Sequence, residues 1–175
     1  MSDDLNKFKT SISEGLANSS LMDVVITPPS SMGTEDSEFL TFRCESADLP
    51  GRGLSLTDRK DYVITSKHPS GMTFTDLNLT FICSSSMKER LFFDKWLELI
   101  AGVGERKVSY YDQFISQSIK VNFYKNKATD SKSCSFTFHK IFPSGIATQN
   151  ISWSTSGLLK LTIAFQYEYW SVEYY

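Results

Sequence analysis

Between Ser86 and Gly102 the chain reads S-M-K-E-R-L-F-F-D-K-W-L-E-L-I-A-G, its one long stretch of helical period. At about 100° per residue, Phe92, Phe93, Trp96, Leu97, Leu99 and Ile100 share one arc. Lys88, Arg90, Asp94, Lys95 and Glu98 fall on the other. Met87 and Leu91 are apolar residues on that charged arc, which marks it as a surface that meets something beyond the subunit's own core. Ser86 and Glu89 have the spacing of a capping box, and Gly102 is placed to turn left-handed just past the end. The pattern predicts a helix over 86–101 that lays an aromatic face on a sheet.

Most of the remaining chain alternates with period two, the signature of half-buried strands. Before the first strand, Leu5, Phe8, Ile12 and Leu16 recur at helical spacing and predict a short amphipathic helix over 3–14, ended by Gly15. Met22, Val24 and Ile26 alternate with polar neighbours until Pro28 and Pro29 stop the strand. Leu40, Phe42 and Cys44 continue the alternation in a second strand. The stretch 47–57, A-D-L-P-G-R-G-L-S-L-T, breaks it: Pro50, Gly51 and Gly53 punctuate a loop whose Leu49, Leu54 and Leu56 need something to bury them. A strand over 60–66 and a turn K-H-P-S-G-M follow, then Leu77, Leu79, Phe81 and Cys83 on one face of the strand that leads into the helix. A polar connection over 103–112 ends in tyrosines. Beyond it come strands with Ile119, Val121 and Phe123 and with Cys134, Phe136 and Phe138, a turn at 143–145, a strand carrying Ile151 and Trp153, and a final long strand. That last strand places Leu159, Leu161, Ile163, Phe165, Tyr167 and Tyr169 on one face. Seven or eight antiparallel strands with one main helix predict a mainly β (α+β) sandwich or barrel with a helix packed on it. No repeat or linker divides the chain, so a single domain over 1–175 is expected.

Composition narrows the function more than the fold. A chain of 175 residues can bury roughly 70% of its unfolded surface. Lys+Arg 18 against Asp+Glu 20 gives a net charge of −2, and no basic block exceeds two residues. That argues against a protein that grips nucleic acid through released counterions, but not against one that lets nucleic acid slide past. Cys44, Cys83 and Cys134 are odd in number and lack C-x-x-C spacing, so they read as buried free thiols. The start is acidic and no segment approaches the roughly 18 apolar residues of a membrane span. A soluble chain made in a cytoplasm is expected, with the sequons at Asn18, Asn78 and Asn150 as chance matches.

Little here points to chemistry. His68 and His139 stand alone, without a second ligand at metal spacing. The G-V-G at 102–104 follows a helix instead of opening one, so it reads as helix termination and not as a phosphate loop. No nucleotide-binding, hydrolase or metalloprotease motif is present. No cofactor, no metal and no enzymatic activity are expected. The strands are less ordinary, with one apolar face and one face of Ser, Thr, Asn, Lys, Glu and Gln. A small closed barrel would point its apolar faces inward. Many copies could instead line a wide aqueous channel with the polar faces, leaving the 47–57 loop and the aromatic C-terminus as contacts. Residue pattern alone leaves both open.

The order of several local sequences carries a resemblance. They are L-T-F-R-C-E-S-A-D-L-P-G at 40–51, F-T-D-L-N-L-T-F-I-C at 74–83, the helix centre F-D-K-W at 93–96, I-F-P-S-G at 141–145, I-S-W at 151–153 and L-T-I-A-F-Q-Y-E-Y-W at 161–170. In that order the chain resembles the tail tube proteins of contractile-tailed, T-even-like bacteriophages, departing from them over 52–70 and in the tail 171–175. The resemblance implies a non-enzymatic structural virion protein. Six copies would form a ring whose inner strands join into one β-barrel, and rings would stack into the inner tail tube, a conduit for DNA ejection. Implied partners are the chain itself, the tail sheath, and baseplate and tail terminator proteins. Genomic DNA would pass without specific binding, there would be no membrane insertion, and assembly would occur in the host cytoplasm. Leu49, Pro50, Gly51, Arg52, Gly53, Leu54 and Leu56 are then the expected assembly interface. Met87, Lys88, Arg90, Leu91, Asp94, Lys95 and Glu98 are the expected outer helix face, turned towards the sheath. Alternatives are a baseplate tube initiator, the tube of a related contractile injection or secretion system, and, more remotely, a β-barrel that binds a small ligand.

Overall fold

The computed structural model describes residues 2–11, 18–32, 37–102, 104, 107–126, 131–154 and 157–175. Helix α1 (Ser2–Ser11) comes first; the rest of the helix expected over 3–14 lies outside the described residues. Strand β1 (Met22–Ile26), a 3-10 turn (Ser30–Met32), α2 (Glu38–Thr41) and β2 (Cys44–Asp48) follow. Then come β3 (Arg52–Asp61), β4 (Ile64–Phe74), β5 (Leu77–Ile82) and α3 (Lys88–Ile100). The chain closes with β6 (Ala101–Gly102), β7 (Lys107–Val108), α4 (Tyr111–Phe114), β8 (Ser116–Asn126), β9 (Ser131–Ile146), β10 (Lys160–Gln166) and β11 (Tyr169–Tyr174). This is the mainly β, antiparallel architecture with one long packed helix that the alternation predicted.

Strand β9 organises it. Its first part lies between β8 and β11, with β1 beyond β8, giving a sheet in the order β1-β8-β9-β11. Its last residues, Phe142 to Ile146, pair with β10 instead, and β5 and β2 extend that second sheet. A strand that serves two sheets must bend. Lys140 takes φ 52 at the crossing, and the register with β10 slips from Gly145–Ala164 to Pro143–Phe165. The turn expected at 143–145 is therefore a bulge inside a strand, a position that accommodates a proline.

The inner faces of the two sheets and α3 share one core. Val24, Ile26, Ile119, Val121 and Phe138 come from the first sheet, and Leu77, Leu79, Phe81, Leu161, Ile163 and Phe165 from the second. The α3 face packs on the second sheet, an aromatic face laid on a sheet as its spacing predicted: the Phe93 ring is 5.3 Å from Phe81 and 6.0 Å from Phe165. Trp96 is fully buried, and its Nε1 donates to the Phe114 carbonyl at 2.8 Å. These rings fill the interior that a barrel binding a small ligand would keep open.

Several local readings give way to tertiary context. Leu40 to Phe42 are not in the second strand; α2 buries Leu40 against β1 and leaves Phe42 in solvent, so β2 starts at Cys44. The final strand is two strands, because the chain must leave the second sheet at Tyr167 and Glu168 to add β11 to the first. Ile151 and Trp153 lie in no strand and are exposed. The expected capping box is displaced: Glu89 reaches past Ser86 to accept the Ser84 N–H and hydroxyl, each at 3.0 Å, and pairs with Arg43. Met87 supplies the left-handed residue before α3, at φ 51. Gly102 does not turn left-handed past the helix; the chain runs from Ala101 directly into β6, paired with β7. Two short helices, α2 and α4, had no signal in the sequence pattern. All three thiols are free, as expected, but half-buried instead of buried.

Candidate assembly surfaces

The stretch expected as an apolar loop over 47–57 is not a loop. From Arg52 the chain enters β3, which pairs with β4 from Arg52–Phe74 out to Asp61–Ile64, and this hairpin joins neither main sheet. The reversal comes at Tyr62, φ 53, and Val63, so the sequence K-H-P-S-G-M lies inside β4 and not in a turn. Pro69 fits there because the register slips from Ser55–Gly71 to Leu56–Pro69, and the Ser70 hydroxyl donates to the Ser55 carbonyl at 3.0 Å. Ten residues in β3 give an arm of about 33 Å at roughly 3.3 Å per residue.

The register sorts the arm's side chains. Leu54 with Met72 and Leu56 with Pro69 share one face, while Gly53 with Thr73 and Ser55 with Gly71 share the other. Leu54, Leu56 and Met72 are 61%, 54% and 55% exposed, so the arm carries an apolar face that is left uncovered among the described residues. A Cβ at Gly53 would stand 2.7 Å from the Thr73 hydroxyl, so the smooth opposite face depends on the glycine. At the root the Arg52 guanidinium stacks on Trp170, 3.8 Å from the ring centre. The Gly51 N–H donates to the Thr75 hydroxyl at 3.2 Å, and the Tyr167 hydroxyl donates to the Thr75 carbonyl at 2.6 Å. Strand β11 thus aims the arm. Of the seven expected interface residues, Pro50 is buried at the root and Leu49, Leu54 and Leu56 offer apolar surface. Met72 was missed, because a turn was read where β4 runs.

On α3 the outer arc is where its spacing put it. Lys88, Arg90, Leu91, Asp94, Lys95 and Glu98 are exposed and Met87 is half-buried. Arg90 lies 3.5 Å from Asp94 and donates to the Gln149 side chain at 2.7 Å. Lys95 and Glu98 border a shallow open cleft of about 290 Å³ with Ser31, Met32 and Leu99.

Both sheets present polar outer faces. On the first, Asp23, Asn122, Ser135 and Glu173 form one cross-strand row, in which Asn122 and Ser135 are buried and Glu173 is exposed. Asn122 Nδ2 and the Tyr124 hydroxyl donate to the two Asp23 oxygens at 2.6 and 2.8 Å. His139 stacks on Tyr169 at 4.6 Å on the same face. On the second sheet, Ser46, Thr80 and Thr162 form a row of small residues, with the two threonine hydroxyls 3.0 Å apart. Burial pushes the Cys44 thiol up to about 12, so it is inert at neutral pH. Among the described residues no group of three or more His, Cys, Asp or Glu side chains could hold a metal ion. No helix among them is long and apolar enough to cross a membrane.

Known structures share this architecture. A chain of the sheath-tube complex of an extracellular contractile injection system (PVC) in its extended state superposes with a TM-score of 0.67 at 12% identity, over 95% of this chain and 97% of that one. The tube-terminating cap of the anti-feeding prophage gives 0.68 at 12% identity, over 91% and 92%. A chain of the baseplate of that prophage gives 0.58 at 11%, over 87% and 91%. At such identities the likeness is one of fold alone. A family model described as phage tail tube protein matches residues 6–173, and the chain belongs to that family. No curated protein sequence matches it. Its role is therefore structural, in a tail tube.

Proposed function

We propose that six copies of the chain, each a single domain over 1–175, close into a ring and that rings stack into the inner tube of a contractile phage tail. The observation that carries this reading is the arm of β3 and β4, an extended hairpin with an apolar face in water. An arm of that kind reaches for a partner, and Leu49, Leu54 and Leu56 are the residues with which it would make contact. Joining neighbouring sheets would pair strand edges otherwise exposed to non-specific association. The polar outer faces would then line a lumen, and the absence of a basic run would let genomic DNA pass without being held. The outer arc of α3, Met87, Lys88, Arg90, Leu91, Asp94, Lys95 and Glu98, would face the sheath. Baseplate and tail terminator proteins would bound the tube, with assembly in the host cytoplasm.

Negative-stain electron microscopy across a concentration series, with mass by light scattering, tests the reading. Rings or hollow tubes are expected once growth is nucleated, and Leu54→Asp with Leu56→Asp should abolish them without unfolding the monomer. Charge reversal on the α3 arc should impair sheath assembly and spare the bare tube. A chain that stays monomeric beside a competent baseplate would defeat the proposal.

A further inference from the structure

The arm and the segment between β9 and β10 leave the second sheet at opposite ends. Strand β5 runs from Leu77, beside the arm's root, to Ile82, and antiparallel β10 starts at Lys160 opposite Ile82 and reaches Phe165 opposite Leu77. β2 approaches the arm at the same end, with Asp48 opposite Asn78. The described residues between the two strands, 147–154 and 157–159, therefore join the sheet at the Ile82 end. Gln149 pins them there, accepting from Arg90 of α3 at 2.7 Å and donating to the Lys160 carbonyl at 2.8 Å. The segment presents Ile151, Trp153 and Leu158 to solvent, and Trp153 is wholly exposed.

These two exposed apolar surfaces are also matched in charge. No charged residue occurs from Ala147 to Leu159. In the root half of the arm, apart from His68, the one charged residue is Arg52, whose guanidinium is stacked on Trp170, whereas Asp58, Arg59, Lys60, Asp61 and Lys67 all lie in the distal half. Pressing the two together would bury large side chains without stranding an ion, which is the costly event at such contacts. Tryptophan is also the residue type that most often anchors an interface.

We infer that the arm of one copy lays Leu54, Leu56 and Met72 over Ile151, Trp153 and Leu158 of a copy in the next ring. The inference rests on the stacked-ring reading and names the receiving surface for the arm. Unlike surfaces at opposite ends make a heterologous contact, which repeats without closing. Arm-to-arm pairing would use the same surface on both copies and end growth at two rings. The Arg52–Trp170 stack holds the arm in place before contact, so little order remains to be imposed on binding.

The test is Trp153→Ala in the full chain, followed by polymer mass over a concentration series with the natural nucleating baseplate. Trp153 is wholly exposed, so the monomer's Tm should not move, while the concentration needed for growth should rise about thirtyfold, as expected for loss of a hot-spot anchor. A photo-reactive benzoylphenylalanine at position 153 should cross-link in tubes, and not in monomers, to the peptide containing Leu54 and Leu56. The reciprocal probe at position 56, copolymerised with unmodified chain, should label 147–159. If Trp153→Ala grows at the unmodified concentration, or if both probes label other surfaces within formed tubes, this contact is wrong and the tube reading stands. If the unmodified chain forms no tube beside its baseplate, both fail.

Discussion

Glu89 is the one acidic side chain among the described residues that is completely buried. It accepts two hydrogen bonds from Ser84, pairs with Arg43 and lies in the first turn of α3, where a helix favours negative charge. Its partner is not equally buried; the Arg43 side chain is 37% exposed. The two truncations should therefore differ. Arg43→Met leaves an anion in the core with only Ser84 and the helix start to hold it, at a cost of about 3 kcal/mol. Glu89→Met leaves a guanidinium that can turn to water and two unpaired Ser84 donors, at a cost of roughly 2 kcal/mol. Because each single change also strands the other partner, the double variant should cost less than the sum by about 2 kcal/mol. Urea unfolding of the four chains below their assembly concentration measures all three terms as shifts of midpoint at constant slope. Additivity to within about 0.5 kcal/mol would show that the pair is not coupled and that α3 is docked by its aromatic face alone.

Trp96→Ala removes a fully buried ring and orphans the Phe114 carbonyl, so it should cost about 3–5 kcal/mol. At 2–4 °C per kcal/mol that is a drop of roughly 10 °C in Tm, and an unchanged Tm would remove Trp96 from the core. Arg52→Gln should speed amide exchange along β3 and β4 without altering global stability, because the Arg52 side of the stack holds only the arm's root. Trp170→Phe should be tolerated, since it keeps an aromatic face and deletes a buried Nε1 that has no acceptor among the described residues. The Cys44 thiol, raised from 9.0 to about 12, is protonated in the folded chain while the unfolded thiol ionises above about pH 9. Its contribution to stability is full below pH 9 and fades between pH 9 and 12, so alkylation of Cys44 at pH 8 should follow unfolding and not precede it. Fast labelling of the native chain at that position would contradict the burial.

What could be read from the sequence, and what could not, follows from where each residue finds its partners. The α3 arcs and the alternation of Leu77, Leu79 and Phe81, or of Leu161, Ile163 and Phe165, were legible because each element packs one face on a core. The Glu89 contact was not, because Arg43 lies far away in the chain and a capping box offered a nearer partner for the same glutamate. The break at Tyr167 and Glu168 was invisible for the same reason: only the presence of β9 in both sheets explains why the chain changes sheet there. The arm was misread in a different way. A two-stranded hairpin with neither face on a core has no need of strict alternation, so Pro69, Gly53 and Gly71 looked like turns although the strand continues through them. The apolar surface of that stretch was nonetheless marked, because Leu49, Leu54 and Leu56 had nowhere to be buried and stand exposed.

Trp153 shows how such marks can mislead and still inform. Ile151 and Trp153 were read as part of a strand, yet they lie in none and both side chains stand in water. The arm and the 147–159 segment share this defect, large apolar residues without cover, and they sit at opposite ends of one sheet. A defect repeated at both ends of a subunit is economical only if each end covers the other. If Leu54 and Leu56 of one ring do cover Trp153 of the next, every added ring buries one pair of surfaces and exposes an identical pair. Growth then carries no internal stop, because the last ring offers what the first one offered. Tube length could not be encoded in this chain; it would have to come from a ruler, or from a terminal protein that covers the exposed end without presenting a new one.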